Sequence, residues 1–271
     1  TTTVGAKVMT PLLLSGKFSL SQNCLLMIKS SKQVFEKYFY YQLFPLFNRE
    51  KSLVPSHMQP SLRFSDLNTF DVAYPDIEEQ KDIVAFLDHE MMKIDKVVAK
   101  KQKMMELLKE KRQALITHAV TKGLDPKAKM KPSGIDWLGD IPEGWEVKRL
   151  NYLISNIVDK AIDLKESNFI VALENIESWT GNLLLPYDQK MPEGDLKRFS
   201  KGDVLFGKLR PYLAKALLAE QSGLCVGEAL VFRPKKQLLN TFLMYRILTK
   251  DFINYIDGST QGAKMPRAEW E

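Results

Sequence analysis

The longest regular pattern in the chain is a series of apolar residues spaced alternately four and three apart, between residues 84 and 119. Such spacing places one apolar stripe along an α-helix and is typical of a helix that packs against another helix. The stripe consists of Val84, Leu87, Met91, Ile94, Val98, Met105, Leu108, Leu115 and Ala119, with Lys101 and Arg112 at two positions within it. We therefore predict a partner-helix interface, in which the two basic residues set register and partner choice.

Both ends of this helix carry recognisable signals. Pro75 disfavours helical backbone in the residue before it, Asp76 is a good N-cap, and Glu79 stands at the capping-box position. Gly123 is a typical residue just beyond a helix end. About 44 residues at about 1.5 Å each make a rod of about 65 Å. Because no compact domain needs so long a helix, we predict that residues 76–123 form a spacer.

The segments on either side of the helix resemble each other in the same order. An apolar run of strand length comes first, then an amphipathic stretch that predicts a helix, then a short mixed segment. The pairs are 23–28 with 228–233, 38–43 with 242–247, and 59–67 with 262–270. Shared order across several weak matches indicates an internal repeat. Residues 1–75 match only the second half of the later unit, so we expect a chain that is cut at both ends.

Composition and charge narrow the class of protein. The chain of 271 residues is long enough for two domains, or for one domain plus a long extension. With 45% hydrophobic and 27% charged residues, it has enough apolar material for an ordinary packed core. Cys24 and Cys225 are too few and too far apart for a disulfide framework or a zinc site, which favours a reducing cytoplasm. Residues 1–5 lack the layout of a signal peptide, and no apolar run is long enough to span a membrane.

The excess of positive charge favours a polyanionic partner. The chain has 39 Lys and Arg against 33 Asp and Glu, a formal net charge of +6. Between Lys100 and Arg112 six basic residues face only Glu106 and Glu110. This segment is either a solvated helix face or a surface close to phosphates or an acidic partner.

Catalytic motifs are missing from the sequence. No methyltransferase tetrapeptide of the Asn-Pro-Pro-Tyr kind and no Gly-x-x-x-x-Gly-Lys phosphate loop occurs. The three histidines, His57, His89 and His118, have no acid or cysteine at a triad or metal-ligand spacing. Asp76 with Glu79 superficially suggests a nuclease, but helix capping explains both. We therefore predict no catalytic residue, no metal site and no cofactor.

Three segments resemble type I restriction-modification specificity subunits: residues 75–88, 134–145 and 206–215. They are similar, respectively, to that family's junction between a target-recognition domain and a long helix, to its domain opening, and to a mid-domain segment. The resemblance implies mixed α/β recognition domains, joined by a long α-helix of coiled-coil type. It implies a non-catalytic subunit whose two recognition domains each read half of a split DNA target. Its expected partners are double-stranded DNA, methyltransferase subunits carrying S-adenosylmethionine and a translocating restriction subunit.

The resemblance and the repeat together divide the chain. We expect residues 1–75 to be the carboxy-terminal half of a first target-recognition domain and residues 76–123 to be the spacer helix. Residues 124–136 are then a linker, and residues 137–271 a nearly complete second recognition domain. The long helix is also a candidate surface for self-association.

Candidate DNA contacts combine basic, amide and aromatic side chains in loop-like segments. Lys208, Arg210 and Lys215 are interleaved with Tyr212. The paired N–H donors of Arg match the hydrogen-bond acceptors of guanine, and the amides of Asn and Gln match the donor and acceptor of adenine. Further candidates are Gln261 and Lys264, with residues 56–59 as their counterpart, and Asn175. The alternatives are that Tyr212 and Leu213 belong to the core beside solvated basic residues, and that Asn175 lies in a turn.

Two other classes of function stay open at this point. A coiled-coil adaptor that binds only proteins explains the helix and the repeat, although it accounts less naturally for the basic loops. A fragment of a fused methyltransferase-nuclease would need catalytic motifs on either side in the parent gene. Binding to bipartite against random duplexes discriminates the specificity subunit from the adaptor.

If the spacer helix sets the gap between the two half-sites, its length determines the preferred target. Removing two helical turns from residues 76–123 should change the tolerated spacer between half-sites. Binding to duplexes with graded spacer lengths measures this, and an unchanged spacer preference would contradict the hypothesis.

Overall fold

The computed structural model describes residues 1, 3, 8–55, 57–161, 167, 169–184, 194–260 and 265–270. The chain divides into two compact units, Thr1–Met104 (unit 1) and Met105–Glu271 (unit 2). The mixed α/β fold class with a long helix, expected from the sequence, is confirmed.

The predicted long helix is present as α3, Ile77–Lys122, with 46 residues. At its start, Asp76 Oδ1 accepts hydrogen bonds from the backbone N–H groups of Glu78 and Glu79, both at 3.0 Å. These bonds satisfy two of the donors that a helix start leaves unpaired. Beyond its end, Gly123 adopts a positive φ of 80°, the left-handed conformation common just after a helix.

Unit 1 has a small core in which α1, Glu36–Leu53, packs against segments that precede and follow it in the sequence. A short helix, α2, covers Phe64–Leu67. The buried residues of this core are Val8, Met9, Leu43, Phe47 and Leu62. The strand predicted over residues 23–28 is wrong as a regular element, because only a single bridge forms there. Even so, Leu25 exchanges backbone hydrogen bonds with Thr1, at 2.9 and 3.1 Å, as strand residues do.

Helices α1 and α3 are joined within unit 1 by a carboxylate. Asp88 accepts hydrogen bonds from Lys37 Nζ at 2.6 Å and from the Tyr41 hydroxyl at 2.7 Å. The bonds from Lys37 and Tyr41 lower the pKa of Asp88. The bond to Asp88, with a smaller effect of burial, raises the pKa of Tyr41 to about 12. Asp88 is therefore held in its charged form and Tyr41 in its neutral form around neutral pH.

A fully buried amide, that of Gln80, ties the start of α3 to the rest of unit 1. Its Oε1 accepts from the backbone N–H of Phe35 at 2.8 Å, immediately before α1. Its Nε2 donates to the carbonyl oxygens of Gln33 at 2.9 Å and Pro75 at 2.8 Å. Burying an amide is costly unless it is hydrogen-bonded, and here the side chain satisfies three backbone groups at once.

The strands that form the two larger sheets of unit 2 are β3 Ile154–Asn156, β4 Ile170–Val171, β5 Leu196–Phe199, β6 Val204–Gly207, β7 Ala216–Leu218, β8 Gly223–Val226 and β9 Ala229–Pro234. One sheet is four-stranded and antiparallel in the order β3-β9-β6-β7, and the other is three-stranded in the order β4-β8-β5. In the smaller sheet β4 runs parallel to β8, and β5 runs antiparallel to it. The helices that follow α3 are α4 Leu150–Leu153, α5 Asn240–Ile247 and α6 Lys250–Gly258.

A two-stranded hairpin precedes these sheets. It pairs β1, Met130–Pro132, with β2, Asp140–Pro142. Trp137, in the connection between the two strands, stacks on Tyr255 of α6 with ring centroids 4.9 Å apart. The hairpin therefore spans the expected boundary at residue 136, and part of the segment expected to be a linker is regular structure.

The four-stranded sheet is covered on both faces. On one face Phe206 and Phe232 pack in a cluster with α5 and α6, and on the other Leu205 and Val231 pack in a cluster with β8. Because successive side chains of a strand point to opposite faces, a strand covered on both sides is apolar at consecutive positions. This explains why all four residues of β6, Val204–Gly207, are buried.

The same backbone contacts occur in both units. The backbone N–H of Thr3 donates to the carbonyl of Asn23 in unit 1, and that of Lys208 donates to the carbonyl of Glu228 in unit 2, both at 2.9 Å. The two pairs are displaced along the sequence by the same number of residues. The sequence repeat therefore corresponds to a repeated hydrogen-bond pattern.

Two further features extend this correspondence. The N–H of Leu62 donates to the Thr3 carbonyl, and the N–H of Ala268 donates to the Lys208 carbonyl, so Thr3 and Lys208 are each bonded on both sides. Met9 and Ala214, at equivalent positions, have positive φ angles of 54° and 47°. Residues other than glycine rarely adopt this conformation, so its recurrence indicates the same chain path.

We expect Gln80→Ala to lower the free energy of unfolding of unit 1 by about 2–3 kcal/mol, because buried backbone groups lose their partner. Urea denaturation followed by circular dichroism measures the loss. All four tryptophans belong to unit 2, so tryptophan fluorescence should change little. Gln102→Ala, at an exposed position of α3, is the matched control, and equal stability of the two variants would contradict the role of Gln80.

Candidate nucleic-acid interface

The segment 208–215, which connects β6 to β7, carries most of the basic and aromatic candidates. It contains a short 3₁₀ turn, Pro211–Leu213, between Arg210 and Ala214, whose φ angles are 52° and 47°. Left-handed backbone costs a non-glycine residue about 1–2 kcal/mol. The surrounding contacts must therefore impose the shape of this loop.

Backbone hydrogen bonds on both sides supply those contacts. On one side, the N–H of Lys208 donates to the carbonyl of Glu228 at 2.9 Å. On the other, the N–H of Arg210 donates to the Pro266 carbonyl at 2.8 Å, and the N–H of Ala268 donates to the Lys208 carbonyl at 2.9 Å. The loop begins as an extension of β6 that lies between Glu228 and residues 266–268.

Three candidate side chains of this loop are accessible. Arg210 is exposed, 45% of the Tyr212 surface is exposed, and Lys208 is half-buried. Within the part of the chain that the structure describes, no hydrogen bond or ion pair is found for any of these three side chains. Tyr212 is therefore not a core residue, and two cationic groups and a phenol are displayed together.

Lys215 has a different environment from the other basic residues of the loop. Its Nζ donates to the carbonyl oxygen of Leu173 at 2.6 Å. Burial lowers the pKa of Lys215, and the nearby Glu174 partly offsets this effect. The ammonium connects the loop to a second 3₁₀ turn, Leu173–Asn175, and is already engaged by the protein.

Asn175 closes that second turn. Its Oδ1 accepts from the backbone N–H of Ala172 at 2.9 Å, and its carbonyl accepts from the N–H of Leu184 at 2.8 Å. This favours the turn interpretation over adenine recognition, which needs both the donor and the acceptor of the amide. Gln261, Lys264 and Ser56 lie outside the described residues.

Sequence reasoning missed the ion pair between Glu228 and Arg267. Arg267 Nε lies 3.3 Å from Glu228 Oε2, and Nη2 lies 3.1 Å from Oε1. Hydrogen bonding to Glu228 raises the pKa of Arg267. The two residues are 39 positions apart, so no local pattern could pair them. The only sequence signal was the position of Arg267 in the repeated segment 262–270.

A second missed residue, Lys197, lies near Lys208. Its Nζ donates to the carbonyl of Ala229 at 2.6 Å. Burial is the main cause of the lowered pKa of Lys197, and the charge of Lys208 lowers it further, while Cys225 and Glu228 act in the opposite direction. Lys197, Lys208 and the carboxylate of Glu228 therefore lie near one another at the start of the 208–215 loop.

The predicted partner-helix stripe on α3 is mostly exposed. Leu87 is half-buried, but every residue from 91 to 112 is exposed. The exposed stripe residues are Met91, Ile94, Val98, Met105, Leu108 and, further on, Leu115. Among the described residues there is no second helix of comparable length to cover them. The partner-helix interface therefore stays a prediction.

Arg112 was expected to set register within that stripe. In unit 2 its Nη1 and Nη2 instead donate to the carbonyl oxygens of Trp179 at 3.3 Å and Thr180 at 3.0 Å. The neighbouring Gln113 donates from Nε2 to the Leu248 carbonyl at 2.7 Å. These bonds fix the last part of α3 to the body of unit 2.

The described residues contain neither a metal-ligand cluster nor a membrane-spanning helix. Across these residues no group of three or more His, Cys, Asp or Glu is arranged to hold a metal ion. No helix in the same residues is long and apolar enough to cross a membrane.

Comparison with known proteins connects the fold to a class. Residues 1–103 match the family described as the type I restriction modification DNA specificity domain. The chain is also 25% identical over 232 residues to the type I restriction enzyme EcoDI specificity subunit of Escherichia coli, covering 77% of this chain and 50% of that protein. The resemblance stated from the sequence is confirmed: the chain is related to type I restriction-modification specificity subunits. It spans about half the length of the specificity subunit it matches.

Two solved structures are also similar. One is a chain from a study of complex assembly and conformational transition in the type I R-M system, 18% identical, with a TM-score of 0.47 and coverage of 78% of this chain and 52% of that one. The other is the HsdS subunit from Thermoanaerobacter tengcongensis, 14% identical, with a TM-score of 0.39 and coverage of 88% and 59%.

Ala268→Pro should loosen the 208–215 loop, because proline cannot supply the N–H that donates to the Lys208 carbonyl. We expect the amide of Arg210 to exchange at least about tenfold faster, a decrease of about 1.4 kcal/mol in local stability. Hydrogen exchange measures this. Glu269→Pro is the control, and equal exchange rates in the two variants would show that the bond does not anchor the loop.

Proposed function

We propose that this chain is a non-catalytic, DNA-sequence-specific subunit of a type I restriction-modification complex. The observation that carries the proposal is the anchored loop 208–215, which displays Lys208, Arg210 and Tyr212 in a relative of specificity subunits. In this proposal unit 2 reads one part of a bipartite target. Other subunits, a methyltransferase carrying S-adenosylmethionine and a restriction translocase, perform the chemistry.

The displayed groups suit double-stranded DNA for physical reasons. Lys and Arg neutralise phosphates and release counterions, which supplies much of the affinity. Arg also presents paired donors that match the O6 and N7 of guanine. Because the backbone of the loop is bonded on both sides of Lys208, ordering it on DNA costs little conformational entropy.

The domain division follows from the same proposal. Residues 1–75 are the second half of a recognition domain, residues 76–123 a spacer helix, and residues 137–271 a second recognition domain. The matching backbone contacts of Thr3 and Lys208 support this repeated arrangement. The segment 124–136, expected to be a linker, contributes β1 to a hairpin.

The exposed stripe of α3 is the proposed site for a partner helix. Exposed apolar patches of this extent usually mark interaction surfaces. A subunit of the complex or a second copy of the chain would cover the stripe. The stripe also favours the alternative function, a coiled-coil adaptor that binds only proteins.

A salt-titrated binding assay separates the two functions. With the methyltransferase subunit present, a specificity subunit binds duplexes carrying the bipartite target much more tightly than random duplexes. Equal and weak binding to both would favour the adaptor.

We expect Lys208→Ala and Arg210→Ala each to weaken DNA binding and to reduce the slope of log K against log salt by about 1 for each phosphate that the variant no longer neutralises. The measurement is affinity over a series of salt concentrations. Lys215→Met is the matched control, because its ammonium is bonded to Leu173, and it should leave the slope unchanged. An unchanged slope in all three variants would exclude this loop from the interface.

A further inference from the structure

We propose that Arg267, held in orientation by Glu228, is a specificity-determining residue of unit 2 that reads a guanine edge. This inference rests on the proposed function, because it requires that the 208–215 loop faces DNA. It adds a residue outside that loop and names guanine as the base that this residue contacts.

The position of Arg267 supports this role. Its backbone pairs with Leu209 in an antiparallel bridge, so Arg267 stands beside the loop that displays Lys208 and Arg210. Hydrogen bonds from Arg210 to Pro266 and from Ala268 to Lys208 fix the backbone on either side of it. The side chain therefore starts from a rigid point, as direct base readout requires.

The geometry of the ion pair indicates that Glu228 orients the Arg267 guanidinium, and does more than balance its charge. The two carboxylate oxygens of Glu228 accept hydrogen bonds from Nε and Nη2 of the Arg267 guanidinium. Of the five N–H donors of an arginine, this leaves two on Nη1 and one on Nη2. Across the described residues these three donors have no other acceptor, and 43% of the side chain is exposed. Two parallel donors on Nη1 and Nη2 match the O6 and N7 of guanine.

The charge of the pair argues against a phosphate contact. The Glu228 carboxylate lies within 3.1 Å of the Arg267 guanidinium and neutralises it. A neutral pair contributes little to counterion release, and a carboxylate close to a phosphate is repelled. The exposed Arg210, which has no carboxylate partner among the described residues, is the better phosphate ligand.

Selection of bound duplexes from a randomised library with the methyltransferase subunit present, followed by sequencing, tests the assignment with the full chain. Wild type should enrich a preferred sequence containing an informative guanine. Arg267→Lys keeps the positive charge but removes the paired N–H donors of the guanidinium. It should lower affinity for the selected duplex on the order of 10- to 100-fold and relax the preference at one guanine, with non-specific binding unchanged.

Two further variants test whether Glu228 orients Arg267 for base contact. Glu228→Gln keeps a hydrogen-bond acceptor for Arg267 but removes the negative charge of the carboxylate. We therefore expect a partial loss of the guanine preference and stronger non-specific binding, because the charge of Arg267 is no longer balanced. Arg210→Ala is the contrast and should weaken binding to all sequences alike. Urea denaturation followed by tryptophan fluorescence checks that each variant remains folded.

The outcomes are distinguishable. If wild type enriches no sequence, the proposed function fails. If wild type enriches a sequence but Arg267→Lys keeps every base preference, or weakens all duplexes equally, Arg267 is not a base reader and the inference is overturned.

Discussion

The hydrogen bonds on both sides of the Lys208 backbone are the constraint on which the candidate interface depends. One side continues the pairing of β6 with β9 through Glu228, and the other adds a single antiparallel bridge between Leu209 and Arg267. Between these partners the chain can hold two left-handed residues, Arg210 and Ala214, that would otherwise be unfavourable. The buried sheet thus fixes the loop, and the loop displays the charged groups.

Unit 1 uses the same constraint with different side chains. Thr3 occupies the place of Lys208 and is bonded on both sides in the same way. The connection of unit 1 to α3 depends on polar groups, the buried Gln80 and the carboxylate of Asp88. A satisfied buried amide favours one specific arrangement, because any displacement leaves several backbone groups without partners. This explains why a small apolar core can hold the start of a long helix.

Helix α3 combines anchored ends with an exposed middle. In its first turns Gln80 and Val84 are buried, and near its end Arg112 and Gln113 bind carbonyl groups of unit 2. Residues 91–111, between these two ends, are all exposed. Tertiary packing usually provides most of the stability of a helix in a protein, and the exposed apolar stripe is the surface that we propose a partner helix covers.

The sequence by itself determined α3 within about one residue at each end, because capping residues and the 4-3 spacing are local signals. It also predicted helices over residues 38–43 and 242–247, which lie within α1 and α5, and an apolar run over residues 228–233 that overlaps β9. Only the tertiary structure decided which basic residues are displayed. Lys215 and Arg112 bind backbone carbonyls, Asn175 closes a turn, and Arg267 pairs with Glu228. These partners lie far apart in sequence or depend on backbone geometry, and composition and spacing carry no information about either.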